Sequence, residues 1–212
     1  MSSFVTEILT TQGLARVHHY PAQRSGSSAS GTVLLGHGAG GGVGSADLQA
    51  LTSLAGHGWH VALIEQPWRV ASRRIAVAPP ALDMATSEIL EALAADEALV
   101  RPWVLGGRSA GARVACRLSH TAQACLLIAF PLVPTRRDGS LGPSRGPELV
   151  MPLAAGIPTL VLQGHRDPFG SPSDITAVVP DARVVSYRGD HSVPRDPGAL
   201  VTPVGNFLNA LT

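Results

Sequence analysis

Short apolar runs alternate with longer amphipathic stretches along this chain. That pattern predicts an α/β fold: a doubly wound, mostly parallel sheet flanked by helices, with no lid domain. Three observations carry the expectation. Ala124-Cys125-Leu126-Leu127-Ile128-Ala129-Phe130 and Thr159-Leu160-Val161-Leu162-Gln163 are nearly unbroken apolar runs, as expected of parallel strands covered on both faces. Helix-like segments separate the strand-like ones. The apolar fraction is 45% and the charged fraction 15% over 212 residues, which suits one globular domain spanning 1–212.

In order, residues 14–20 read as an early strand, with a polar turn from Ser25 to Gly31. Thr32 to Leu35 is a short buried strand, followed by a glycine-rich loop and an amphipathic helix from about Ser45 to Ala55. Val61 to Ile64 is the next strand. A connection rich in Arg and Pro runs from Glu65 to Pro80, and Ala81 to Leu99 reads as a helix with Leu82, Ile89 and Leu93 on its apolar side. Trp103 to Gly106 is a strand and Ala110 to Ser119 a helix. Ala182 to Tyr187 is the last strand and Pro197 to Leu211 the last helix, with Pro near its start. Residues 131–158 hold many prolines and glycines and read as an irregular loop over the mouth of a pocket, too short for a lid.

Composition excludes several classes. A net charge of +1 gives no electrostatic case for nucleic acid or an anionic membrane. All 16 basic residues are Arg, which fits codon bias better than anion recognition. The first 12 residues lack a basic n-region and an apolar core, so no signal peptide is expected. Cys116 and Cys125 have neither redox nor zinc spacing and read as reduced core thiols of a cytoplasmic protein. No His or Cys pattern suggests a metal, and no cofactor is expected.

The chemistry-bearing motif is Gly107-Arg108-Ser109-Ala110-Gly111, set between a strand and a helix. A serine on such a turn is lifted clear of the sheet, and small neighbours permit the sharp bend. Asp167 and His191 follow in that order, each in a loop after a strand-like run. A hydroxyl is a poor nucleophile without a base, and the base needs an orienting carboxylate. The expected roles are Ser109 as nucleophile, His191 as base and Asp167 as its partner. Asp190 and Asp138 are the competing acids, Asp190 being better suited to shape its loop. Backbone N–H groups of Ala110 and Ala39 are expected to hold an oxyanion, with Gly40 as the alternative to Ala39. His37, Gly38, Gly40 and Arg108 are further candidates for contact with substrate, although His37 more simply orders its loop. Arg69, Arg73, Arg74, Arg136 and Arg137 read mainly as solvated surface. The expected partner is a small ester or acyl compound, bound in an open, shallow site.

One rival reading is a dinucleotide site. Gly36-His37-Gly38-Ala39-Gly40-Gly41 matches G-x-G-x-x-G after a strand, and Glu65 ends the following strand. The next helix begins too late, however, to aim its N-terminus at a pyrophosphate. A second rival is a binding or scaffolding module that keeps the fold without turnover.

Six blocks carry a family resemblance: His37-Gly38-Ala39-Gly40, the segment Arg74 to Leu82, Gly106 to Arg113, Phe130-Pro131-Leu132, Gln163 to Gly170, and Gly189-Asp190-His191-Ser192. With them the chain resembles the compact, dienelactone-hydrolase-like end of the α/β-hydrolase superfamily, and more narrowly the Tex/KANL-type α/β-hydrolase-like domains. The resemblance implies an eight-stranded-type sheet and a Ser109–His191–Asp167 triad. That group also includes scaffolding domains of chromatin complexes. Where it carries a Pro-Pro-Gly-type loop, this chain reads Val133 to Gly139.

Overall fold

A computed structural model describes residues 2–23, 29–97, 99–136 and 138–212. Part of the expected Ser25–Gly31 turn, Ala98 and Arg137 lie outside the described residues. Eight strands form one sheet in the order β1-β2-β4-β3-β5-β6-β7-β8. They are β1 (Phe4–Thr10), β2 (Gly13–Tyr20), β3 (Thr32–Gly36), β4 (His60–Glu65), β5 (Trp103–Arg108), β6 (Ala124–Ile128), β7 (Thr159–Gly164) and β8 (Arg183–Tyr187). The β1–β2 and β2–β4 pairs are antiparallel. Every pair from β4 through β8 is parallel.

The helices are α1 (Ala46–Leu51), α2 (Pro67–Val70), α3 (Pro79–Ala94), α4 (Ala110–Arg117), α5 (Gly146–Ala154), α6 (Pro172–Val178) and α7 (Val201–Asn209). Successive strand residues point to opposite faces, so each central strand feeds two cores. Leu34, Ala62, Ile64, Leu105, Cys125 and Val161 pack beneath α3, α4, α5 and α6. Val33, Leu35, Val61, Leu63, Leu126 and Leu162 pack beneath α1 and α7. This two-sided burial explains why the inner strands read as unbroken apolar runs. Both cysteines are buried and free. Burial pushes the Cys125 thiol up to about 12 and the Cys116 thiol upward as well, which keeps both protonated and inert.

Three expectations need correction. The stretch 131–158 is not simply a loop over a pocket. It contains α5, which begins at Gly146-Pro147 and carries Pro152 inside it. Tertiary contacts hold this helix: Leu149 is fully buried, and Glu148 pairs with Arg113 at 2.6 Å and Arg117 at 2.9 Å on α4. The helix expected over 81–99 starts at Pro79 and stops at Ala94. The helix expected from Ser45 to Ala55 is shorter, because α1 tightens into a 3₁₀ turn at Thr52–His57.

The C-terminal ends of β3, β5, β7 and β8 share one rim of the sheet. The chain reverses its direction of travel across the sheet between β3 and β5, since β4 lies on one side of β3 and β5 on the other. Ligands of open α/β sheets bind at such a rim, beside such a reversal.

Candidate active site

Ser109 follows the last residue of β5 and precedes α4. Its backbone sits at φ 51°, ψ −104°, a conformation that costs a residue with a side chain about 1–3 kcal/mol. The surroundings enforce it. Gly36, Gly107 and Gly111 meet backbone to backbone, and a methyl group on Gly107 or Gly111 would collide with the Gly36 carbonyl oxygen. The Ser109 N–H donates to the Ile128 carbonyl at 2.9 Å, which anchors the turn to β6.

His191 lies in the loop after β8. Its Nδ1 is 2.9 Å from Asp167 Oδ2, and its Nε2 is 2.9 Å from Ser109 Oγ. With a carboxylate as its partner, Nδ1 carries the proton. Nε2 is then free to accept the Ser109 hydroxyl hydrogen. Phe169 packs against the imidazole with the ring planes at 70° and the centroids 4.5 Å apart, which limits rotation of the ring.

The carboxylate is held as firmly as the imidazole. Asp167 has no exposed side-chain surface. Its Oδ1 accepts the Phe169 N–H at 2.9 Å, and its Oδ2 accepts from Gln163 Nε2 at 3.0 Å. Gln163 is itself fully buried at the end of β7. Its Nε2 also faces the carbonyls of Gly170 at 2.7 Å and Phe130 at 3.2 Å, while its Oε1 accepts the Phe130 N–H at 2.9 Å. One amide thus ties the loops after β6 and β7 to the carboxylate. Gln163 lies within the Gln163–Gly170 block, but its role is not evident from the sequence. The available signal was a lone amide at the end of an apolar parallel strand, where a buried polar group must find partners.

The loop carrying His191 is fastened from three directions. Arg108 Nη2 donates to the His191 carbonyl. The Gly189 N–H donates to His165 Nδ1 at 3.2 Å. The Ser192 N–H donates to Asp190 Oδ1 at 2.7 Å. Asp190 therefore shapes its own loop, as expected, and Asp138 sits apart, accepting from Ser140. Arg108, expected to face substrate, is committed elsewhere. Its Nε lies 2.8 Å from the fully buried carboxylate of Asp47 on α1. Asp47 was not foreseen, because nothing local in its sequence marks the long-range pairing.

His37 is buried and bridges two chain segments. Its Nδ1 donates to the Gly38 carbonyl at 2.9 Å and its Nε2 accepts the Gln66 N–H at 3.2 Å. Burial holds its pKa below the ordinary histidine value, against the opposing Gly38 hydrogen bond. The ring is neutral and orders the loop after β3. Gly38 lies against Arg108 and Ser109, where an added Cβ would be 3.5 Å from the Ser109 Cβ. Gly40 is exposed, with no neighbour within 4 Å of the corresponding point.

Ala39 and Ala110 line one cavity, together with Gly36, Gly111, Ile64 and Leu82. Ala110 is the first residue of α4, so its N–H has no partner within the helix. The cavity runs inward from the serine turn between α3, α4 and the sheet. A site expected to be open and shallow thus has a narrow interior extension. None of the described residues of 131–158 lines it.

The dinucleotide geometry does not form. The Glu65 carboxylate accepts from His18 Nε2 at 3.1 Å, and α1 begins only at Ala46 and spans 6 residues. Among the described residues, no group of three His, Cys, Asp or Glu side chains could hold a metal ion. Among the described residues, no helix is long and apolar enough to cross a membrane.

Residues 29–197 match the alpha/beta hydrolase domain family. No curated protein matches the chain in sequence. Solved structures share its fold at low identity. A lidless α/β serine hydrolase from Xanthomonas campestris is 16% identical with a TM-score of 0.71, covering 99% of this chain and 93% of that one. An α/β serine hydrolase homologue from Coxiella burnetii is 16% identical with a TM-score of 0.75, covering 100% and 99%. Est1E from Butyrivibrio proteoclasticus is 11% identical with a TM-score of 0.76, covering 99% and 98%. The match in sequence spans most of the chain and the match in fold nearly all of it: the chain belongs to the alpha/beta hydrolase domain family.

Proposed function

We propose that this protein is a serine hydrolase that cleaves a carboxylic ester or thioester through an acyl-Ser109 intermediate. The observation that carries the reading is the unbroken hydrogen-bonded line from Ser109 Oγ through the His191 ring to Asp167, with 2.9 Å at both steps. Ser109 Oγ attacks the acyl carbon while His191 Nε2 takes the hydroxyl proton. The carbonyl oxygen becomes an oxyanion facing the N–H groups of Ala110 and Ala39. The bond to the leaving oxygen or sulfur then breaks, and His191 returns the proton to it. Water repeats the sequence on the acyl-enzyme, with His191 as base, releasing the acid and restoring Ser109. Asp167 stays ionised throughout and stabilises the imidazolium.

Supporting features are the strained turn that exposes the serine, the buried carboxylate with its donors, and the family to which the chain belongs. Two buried, unpaired cysteines favour a reducing compartment such as the cytoplasm.

The test is labelling by a fluorophosphonate together with hydrolysis of p-nitrophenyl acetate. The native chain should be labelled once. Ser109→Ala should lose the label and at least about 1,000-fold in kcat/KM. A Ser109→Ala protein that keeps its turnover removes the assignment. A folded native chain that neither labels nor hydrolyses would favour the scaffolding alternative.

A further inference from the structure

The loop that carries His191 has a second side. Asp190 and Ser192 line a recess of about 380 Å³ there, together with Arg166 from the loop after β7 and Arg188 and Arg195 from the loop after β8. His191, between Asp190 and Ser192, is not part of that wall. The loop thus turns its catalytic ring to Ser109 and its flanking residues to the recess. All three arginines are exposed. None of them forms an ion pair or a side-chain hydrogen bond among the described residues, so each guanidinium is free to turn into the recess. The one carboxylate in the wall is engaged. Asp190 Oδ1 accepts the Ser192 N–H at 2.7 Å, and the bonds to Ser192, with Arg166 adding a smaller pull, hold this carboxyl below its ordinary pKa. Asp196 lines only the neighbouring recess.

The chain as a whole is balanced, with 16 basic and 15 acidic side chains. Three arginines against one carboxylate is therefore a local concentration, and it leaves the recess with a charge of +2. A phosphate monoester carries about −1.5 to −2 at pH 7, which matches that surplus. Its terminal oxygens also suit planar guanidinium forks, which bind phosphate through paired hydrogen bonds. A lone carboxylate would answer only half of the charge.

We propose that this recess binds a phosphate monoester on the leaving group, so that the compound cleaved is an ester or thioester of a phosphorylated alcohol or thiol. The inference rests on the reading of the site as a serine hydrolase. In that reading His191 Nε2 hands its proton to the departing oxygen or sulfur, which puts the departing alcohol or thiol on the histidine side of Ser109. The recess begins one residue from His191 in either direction along the chain, and consecutive Cα atoms are about 3.8 Å apart. Only the thickness of one loop separates the base from the arginines. That loop is joined to the loop of Arg166 by the Arg166 N–H, which donates to the Gly189 carbonyl at 3.0 Å, so both rise from the same rim of the sheet. A leaving group that passes over the histidine loop brings its far end to Arg166, Arg188 and Arg195.

The experiment compares acetyl compounds with and without the phosphate at two reaches: 2-acetoxyethyl phosphate against 2-acetoxyethanol, and S-acetyl-4′-phosphopantetheine against S-acetylpantetheine. The phosphorylated member of at least one pair should show kcat/KM roughly tenfold or more above its partner, chiefly through KM, and the advantage should shrink as salt is raised. Arg166→Gln, Arg188→Gln and Arg195→Gln should each lower that ratio by roughly threefold or more, and the triple change should bring it to about one. A ratio taken within one variant does not depend on how much of it folds. Arg183→Gln removes an exposed arginine of β8 that lies outside the recess and should leave the ratio in place. A binding readout accompanies turnover: the phosphorus resonance of 2-hydroxyethyl phosphate should shift on adding the native chain and stay still with the triple variant. Equal rates within both pairs overturn the proposal, as does a ratio that falls as far with Arg183→Gln as with the recess variants, which would mark diffuse surface charge. Inorganic phosphate that binds through the three arginines while both pairs react equally also overturns it, since the recess would then hold a free ion. A chain whose Ser109 labels with a fluorophosphonate but shows no phosphate preference loses this proposal and keeps the hydrolase reading. One that binds 2-hydroxyethyl phosphate through the arginines without labelling loses the hydrolase reading and keeps the phosphate site.

Discussion

The serine turn and the histidine loop meet at one hydrogen bond, but they are built by different means. The turn is fixed by contact between backbones: Gly36, Gly107 and Gly111 leave no space for another geometry. The loop has a smaller seam, a single close approach of Gly164 to the Asp190 carbonyl, and leans more on side chains. It is tied down by side chains from elsewhere, namely Arg108 and His165, while the carboxylate it faces is held by Gln163. Steric placement is encoded within a few residues. Placement by ties depends on groups far away in the chain, and each tie can be removed singly.

That contrast can be broken first at the glycines. Gly111→Ala should destabilise the fold by more than about 4 kcal/mol, because the new methyl meets a carbonyl oxygen of another strand rather than a yielding side chain. A urea melt reads this, and a loss under 1 kcal/mol would show that the seam can give.

Arg108→Met tests the ties. It strands the Asp47 carboxylate, which has no exposed surface, and should cost about 3 kcal/mol or more. It should also lower kcat by about tenfold through the loosened His191 backbone. The double change Asp47→Asn with Arg108→Met should recover stability without recovering kcat, since the tie to His191 stays absent. If both recover together, Arg108 serves the fold alone.

Gln163→Leu should cost about 2 kcal/mol, from the polar atoms of Phe130, Gly170 and Asp167 left without it. It should lower kcat more than it raises KM. An unchanged kcat at full folding would make this amide a fold element only.

The smallest effect lies far from the site. His19 is fully buried, stacked on Phe4 at 4.5 Å, and its Nδ1 lies 3.1 Å from His60 Nε2. Burial, with the neighbouring His60, lowers its pKa to about 4. Between about 6.5 and 4 the unfolded chain binds the proton and the folded chain does not, so stability is complete above 6.5 and falls as the medium acidifies. His19→Phe should flatten that acid limb in thermal melts between pH 7 and 4.5. An unaltered slope would place the acid sensitivity elsewhere.

The legible parts of the sequence were those where the cause is local. Strands β3 to β7 announced themselves because both faces are covered, and the serine turn through its glycines. The edge strand β1 was missed: Phe4, Val5 and Leu9 stay exposed, so no apolar run marks it. Helix α6 was missed although Ser171 and Asp174 form a reciprocal cap with Pro172 between them, a readable signal. Helix α5 was hidden by its prolines and exists through its packing on α4. Within the site, the order Ser109, Asp167, His191 was readable, as was the loop-ordering role of His37. Asp47 was not, since its importance lies in Arg108, which stands across from it.

The meeting of Gly36 with Gly111 also decides how this molecule could change its appetite. One side of the interior hollow is a backbone-to-backbone weld, which neither breathes for a bulkier guest nor tolerates a larger residue. The opposite side is the flank of α3, touching through Leu82 and Thr86, where side chains can be trimmed one at a time. Selection for a longer guest would therefore leave its record on that flank, while the weld stayed constant.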